Sequence, residues 1–218
     1  VWLSEGFATY FTLLFIEHQY GRDEFQKGLA KSKKTVDDFY AKNPDYRIIH
    51  HNLDDMNKVT TIQTYQKGSW TLHMLRGIVG DGVFWKGIRT YYAKYMNSHA
   101  TTTDFIRIME ETSGKDLKYF FDQWLYKPGT LRINGNWHYD AVRKELVLQL
   151  NQTQTDGSLF TMPIPVEIQQ PGKQIRKTIT ISGKSNTITI PLDSAPAKII
   201  LDPDHWVLMD VEMTGAAK

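Results

Sequence analysis

The chain has 218 residues, of which 41% are hydrophobic, 12% aromatic and 23% charged. This is the composition of one large or two modest globular domains, and it excludes a wholly disordered, collagenous or linker-like protein. The 26 Lys and Arg against 24 Asp and Glu leave a net charge of +2, too small to argue for a nucleic-acid or anionic-membrane partner. Cysteine is absent, which removes disulfides, thiol nucleophiles and Cys-based zinc sites. No apolar run approaches the roughly 20 residues that span a bilayer. The longest, Phe11 to Ile16, is interrupted by Thr12 and bounded by Glu17 and His18. The chain opens at Val1, a few residues ahead of a helical pattern already under way, as expected of a piece of a longer protein. No cellular location is legible in it.

From Val1 to about Tyr126 the apolar residues recur at helical spacing. Trp2, Leu3, Phe7, Tyr10, Phe11, Leu14 and Phe15 predict one broad stripe, with Ser4 and Glu5 at its N-terminal edge. Gly21 interrupts it, and Asp23 to Tyr40 reads as a second helix with Phe25, Leu29, Val36 and Phe39 inward and Lys27, Lys31, Lys33 and Lys34 solvated. Ala41 to Lys58 has no clean period and reads as a loop. A third helix is expected from Thr61 to Val79, ending at Gly80, with Ile62, Tyr65, Ser69, Leu72 and Leu75 along one side. Asp81 is expected to cap a fourth, built on Phe84, Trp85, Ile88, Tyr91, Tyr92 and Tyr95. Thr102 or Thr103 opens a fifth that stops at Gly114, and a short sixth covers Leu117 to Leu125 before Pro128-Gly129.

After Gly129 the period changes to two. Trp137 and Tyr139, then Leu146, Leu148 and Leu150, alternate with polar neighbours, as do Val166 with Ile168, Ile179 with Ile181, and Ile188 with Ile190. Turn dipeptides such as Asn134-Gly135, Asp156-Gly157, Pro171-Gly172 and Ser182-Gly183 separate them. Ile199 to Leu201 and Val207 to Val211 read as the last strands, and Thr214 to Lys218 as a frayed tail. The expectation is a small antiparallel β-sandwich over 130–218 following a helical domain over 1–129, α+β overall.

Spacing alone assembles no complete active site. HExxH, GxSxG, a Walker-type loop and GxGxxG are all missing. No two of the seven histidines stand four apart on one helical face. His50 and His51 beside Asp54 and Asp55 read as a polar loop, and Asp202, Asp204 and His205 as a turn between strands. By spacing, Glu5 is a first-turn glutamate facing the positive end of its helix, worth about 0.3–1 kcal/mol. Tyr65 by spacing is a core-facing aromatic with its hydroxyl at the rim.

Taken together, however, the motifs are similar to those of a known family. Val1-Trp2-Leu3-Ser4-Glu5-Gly6-Phe7-Ala8-Thr9-Tyr10 closely resembles the segment that follows HExxH in the M1 zinc aminopeptidases, the gluzincins related to aminopeptidase N and leukotriene A4 hydrolase. Tyr65-Gln66-Lys67-Gly68-Ser69-Trp70, then Leu72 to Arg76, looks like that family's second catalytic-domain signature. Gly80-Asp81 through Arg89, Thr102 to Phe105, and Phe120 to Leu125 continue it in order as far as about residue 131. The resemblance implies the C-terminal half of a thermolysin-like catalytic domain and a parent that removes N-terminal residues from peptides. It implies that Glu5 is the third zinc ligand of a two-His, one-Glu site, and that Tyr65 stabilises the oxyanion of the tetrahedral intermediate.

In the family, HExxH stands about eighteen residues ahead of this glutamate, so both histidines and the general base would precede Val1. The GxMEN motif that grips the substrate's amine would lie further upstream. A lone carboxylate does not hold zinc tightly, so the chain as given is expected to bind no catalytic zinc and to be inactive. Ser4, where asparagine is common, is a mild departure, and His73 reads as a packed or partly exposed residue rather than a substitute ligand. Two other readings compete. One is a non-catalytic peptide- or protein-binding module of the same fold. The other is an independent binding sandwich with Trp137, Tyr139 or Trp206 as a flat exposed platform. If the HExxH helix is absent, Trp2, Phe7, Phe11 and Phe15 are expected to be exposed or repacked, which favours self-association.

Overall fold

The computed structural model of the protein describes residues 1–50 and 53–215, and the chain divides into two compact units, Val1–Gly129 and Thr130–Lys218. The first is helical: α1 (Trp2–Tyr20), α2 (Arg22–Tyr40), α3 (Met56–Val59), α4 (Ile62–Val79), α5 (Asp81–Tyr95), α6 (Thr102–Ser113) and α7 (Lys118–Leu125). Gly21 and Gly80, at φ +92° and +87°, let one helix end and the next start without a loop, in a conformation that side chains rarely adopt. With the strands described below, the architecture is α+β.

Helix α4 is the axis of this unit. It lies among α1, α2, α5 and α7. From Gln63 to Leu75 nearly every residue on it is buried, Lys67 and His73 included, whereas Ile62 is exposed. An amphipathic stripe with one inward side is therefore too narrow a description, because neighbours cover α4 almost all round. Helix α1 differs in another way. Its buried positions are Trp2, Gly6, Tyr10 and Leu13, while Phe11 and Phe15 are 41% and 61% exposed. Trp2, expected to be exposed or repacked, is buried. Its ring packs edge-on to Phe105, and its indole Nε1 donates to Thr102 Oγ1 at 2.9 Å. Along α2, Ser32 and Tyr40 turn inward with Phe25, Leu29 and Val36, Phe39 is only half-buried, and Lys33 is half-buried beside Asp37.

Helix ends depart from the sequence reading by a residue or so, for identifiable reasons. α6 starts at Thr102, one of the two residues expected, and Thr101 caps it. Its hydroxyl accepts from Asp104 N while Asp104 accepts from Thr101 N, the reciprocal capping box. Gly80 caps α5, leaving Asp81 in its first turn to pair with Arg76. Within the segment read as loop, Asp55 accepts from Asn57 N at 3.0 Å and starts the short α3.

The second unit carries β1 (Leu131–Asp140), β2 (Glu145–Gln152), β3 (Met162–Gln170), β4 (Lys173–Ile181), β5 (Ser185–Pro191), β6 (Lys198–Leu201) and β7 (Met209–Gly215). They form a four-stranded sheet in the order β5-β2-β1-β7 and a three-stranded sheet in the order β4-β3-β6. Alternation sets their faces: Leu131, Ile133, Gly135 and Trp137 of β1, and Leu146, Leu148 and Leu150 of β2, are buried while their neighbours look outward. The pairings are antiparallel, as expected, with one exception. β7 runs parallel to β1, with Leu131 opposite Met209. β6 belongs to the other sheet, so the chain changes sheets before β7 and need not return as a hairpin. Thr214 and Gly215, read as a tail, are the last residues of that strand, and 216–218 lie outside the described residues.

The change of sheet is made by the turn at Asp202. Its backbone carbonyl accepts from His205 N at 3.1 Å, and its carboxylate accepts from Trp206 N at 2.8 Å and Val207 N at 2.7 Å. Burial pushes this carboxyl up to about 6 despite those donors. The raised value means that the protonated form favours folding. The contribution is full below the unfolded aspartate value near 3.9 and is lost as pH rises through about 6. An NMR titration of the Asp202 carboxyl carbon is expected to show a midpoint near 6, with the shift to an ordinary aspartate value on unfolding in urea.

Candidate active site

The geometry of the site begins with two glycines. A Cβ built on Gly6 of α1 would lie 3.0 Å from the carbonyl carbon of Gly68 in α4, and one on Gly68 would lie 3.3 Å from Gly6 Cα. The helices therefore touch backbone to backbone at this crossing. Glu5 immediately precedes one glycine, and Tyr65 lies three residues before the other, on the same face of its helix. The close approach brings carboxylate and phenol together. Tyr65 is half-buried, and its phenol is held above the ordinary tyrosine value, first by loss of solvation and then by the Glu5 charge and hydrogen bonding with Glu5. Ser4 Oγ approaches Glu5 Oε1 at 3.5 Å, and the Glu5 carbonyl accepts from Thr9 Oγ1 at 2.8 Å. A carboxylate next to a phenol sets oxygen acceptors beside one hydroxyl donor.

Further along the same pair of helices, a network that runs from the buried Tyr10 and His73 out to the exposed Asp81 ties them to α5. Tyr10 OH and His73 Nδ1 are 3.1 Å apart, Arg76 Nη1 donates to Tyr10 OH at 3.4 Å, and Arg76 Nε donates to Asp81 Oδ1 at 2.6 Å. Burial pushes the Tyr10 phenol up to about 12, with Arg76 opposing it. His73 is fully buried, with the rings of Tyr10, Phe25 and Trp70 around it at centroid distances of 5.4–5.7 Å. Of the packed and the partly exposed placements expected for it, it takes the packed one.

The other sequence candidates sit elsewhere. His50 Nε2 lies 3.3 Å from Lys58 O beside the Tyr46 ring, Asp55 caps α3, and Asp54 is exposed. His51 lies outside the described residues. Asp204 pairs with Arg176 at 2.7 Å, and Arg176 also reaches the buried Glu167 at 3.1 Å, so the Asp202–His205 segment is a structural turn. The aromatic platform is not assembled either. Trp137 is only 7% exposed, Tyr139 and Trp206 are half-buried, and Tyr139 OH donates to Leu192 O at 3.0 Å. Among the described residues, no group of three or more His, Cys, Asp or Glu is placed to hold a metal ion. Sequence reasoning passed over Lys67, which lies inside the quoted Tyr65-Gln66-Lys67-Gly68 motif and is fully buried. Its signal was a lysine inside an otherwise apolar and small-residue helix face.

Known proteins resemble the chain throughout its length. The model of the peptidase family M1 domain matches residues 1–124. Aminopeptidase N of Lactococcus lactis subsp. lactis is 30% identical over 177 residues, 75% of this chain and 20% of that protein. Glutamyl aminopeptidase of Homo sapiens is 27% identical over 216 residues, 94% of this chain and 22% of that protein. The crystal structure of Legionella pneumophila aminopeptidase A in complex with aspartic acid shares the fold at a TM-score of 0.78 and 19% identity, over 97% of this chain and 24% of that one. The chain thus spans between a fifth and a quarter of the length of these relatives.

Two measurements check the crossing. Gly68→Ala places a methyl group against the Gly6 backbone and is expected to cost about 1–3 kcal/mol in urea unfolding, the usual penalty of overpacking. Glu5→Gln removes the negative charge, so the Tyr65 midpoint, followed by NMR with ring-labelled tyrosine, is expected to fall. It stays above 10.0, because loss of solvation remains the larger cause.

Proposed function

Since this chain belongs to peptidase family M1, we propose that it is part of a zinc-dependent aminopeptidase: the helical half of the catalytic domain, followed by a β-sandwich. The parent would hydrolyse N-terminal residues from peptides. The observation that supports this most directly is the meeting of Glu5 and Tyr65 across the Gly6–Gly68 contact. An arbitrary pair of surface residues would not require two helices in backbone contact.

The donor chemistry fits zinc in part. Glu5 offers a carboxylate oxygen, a normal zinc ligand, but a catalytic site needs three protein ligands. The two imidazoles and the general base would be supplied by a segment outside these 218 residues. When bound, zinc polarises the scissile carbonyl and lowers the pKa of water. Within this chain, Glu5 would supply one carboxylate ligand. Tyr65 keeps its proton well above neutral pH, and so has a hydroxyl ready to donate to the oxygen on which charge develops. The Tyr10–His73–Arg76–Asp81 network holds the two helices against each other and against α5. No helix among the described residues is long and apolar enough to cross a membrane, and peptides are the partners this reading requires. The isolated chain, with one ligand, would hold no catalytic zinc and hydrolyse nothing, and the exposed Phe11 and Phe15 favour association between its copies.

The reading is tested with two proteins: these 218 residues alone, and a longer chain that includes the upstream histidine motif. Zinc content and hydrolysis of aminoacyl chromogenic substrates are expected only in the longer one. There, Tyr65→Phe is expected to keep the metal while kcat falls about 10²–10³-fold, the loss typical of one oxyanion donor. Glu5→Ala is expected to lose the metal. Full activity in Tyr65→Phe, or a degraded upstream motif, would replace this reading with that of a non-catalytic peptide-binding module.

A further inference from the structure

We propose that Lys67 is a positioning residue, whose buried ammonium sets the roll of α4 about its own axis and thereby holds the Tyr65 phenol against Glu5. The proposal rests on the role given to Tyr65 above. At about 100° per residue, Lys67 leaves α4 on roughly the opposite side from Tyr65. It is fully buried. Its Nζ donates to Tyr40 OH at 2.9 Å and to Lys127 O at 3.2 Å, and lies 5.0 Å from the centre of the Tyr40 ring and 5.8 Å from that of Trp124. One cation thus ties α4 to the last residue of α2 and to the chain just past α7.

The contact at Gly68 shows what such a tie adds. At Gly68 the helix rests on the Gly6 backbone, with the Trp2 ring beside the contact. Backbone contact sets a distance, and the Tyr10–His73 bond ties α4 to α1 about two turns beyond Tyr65; Lys67 adds directional bonds against rolling at the level of Tyr65 itself. A phenol hydroxyl stands roughly 8 Å from its helix axis, so a roll of about 20° carries it about 3 Å, more than a hydrogen bond tolerates. Directional bonds on the far side prevent that roll. Burial of an ammonium is costly, and an apolar residue of similar length is often no less stable. Register is the best-attested benefit of such a group.

The test uses the chain itself, with Lys67→Met, Tyr40→Phe and, as a buried polar control on α2, Ser32→Ala. Two quantities are read: the melting temperature, and the nuclear Overhauser contact between the Tyr65 ring and Glu5 side-chain protons. The expected result is a folded Lys67→Met with an unchanged or higher melting temperature that has lost the contact. Tyr40→Phe is expected to weaken the contact, and Ser32→Ala to keep it. If Lys67→Met does not fold, Tyr40→Phe decides alone by the same reading. A full-strength contact in folded Lys67→Met overturns the proposal, as does its absence from the unsubstituted chain. So does a loss that merely follows a drop in melting temperature, or an equal loss in Ser32→Ala. None of these outcomes involves zinc or turnover, so the proposal can fail while Tyr65 keeps its catalytic role. Conversely, full activity of Tyr65→Phe in the longer protein would remove that role and leave the contact data standing.

Discussion

Two helices that touch through bare backbone, at Gly6 and Gly68, are the constraint on which the rest of the helical unit depends. Glycine inside a helix costs roughly 0.5–1 kcal/mol relative to alanine, so two facing glycines represent a conformational penalty with a geometric return. The return is proximity. Helices normally pack with axes about 8–10 Å apart, and side chains at the contact set that spacing. With none at this crossing, residues beside it on either helix come within reach of each other, and a glutamate and a tyrosine occupy those places.

Such a contact needs support from every other side, and α4 receives it. Polar groups buried in low dielectric are costly unless hydrogen-bonded, and once bonded they are directional in a way apolar packing is not. Gln63 Nε2 donates to Val36 O at 3.1 Å, Lys67 reaches Tyr40 and Lys127, and His73 meets Tyr10, so α4 carries polar ties to α1, to α2 and to the chain after α7. The apolar body of the unit is built differently, from edge-on aromatic contacts such as Phe105 with Phe121 and Phe120 with Phe121, which supply burial with looser directional demands. Bulk stability and site geometry therefore come largely from different residues.

The β unit makes a similar division. Alternating Leu, Ile and Val residues determine which face of each strand is buried, and that much is local. Strand order is not. β6 and β7 are neighbours in sequence but lie in separate sheets, because the turn at Asp202 redirects the chain between them with side-chain-to-backbone bonds. A short polar segment that reads as an ordinary turn carries the topological decision, and a buried carboxylate is the cost of making it.

By itself, the sequence determined the places where periodicity switches from helical to alternating, the helices and strands between the Gly and Pro punctuation, and a set of ordered motifs specific enough to name the family. These features depend on neighbours a few residues apart, and so are written locally. Only the tertiary structure decided that Trp2 and Lys67 are interior, that Phe11 and Phe15 are not, that β7 pairs parallel to β1, and that Glu5 and Tyr65 meet. Each of these depends on which helix or strand arrives from far along the chain. Amphipathic spacing can show that a residue shares a face with others, but it carries no information about what will cover that face, or how closely.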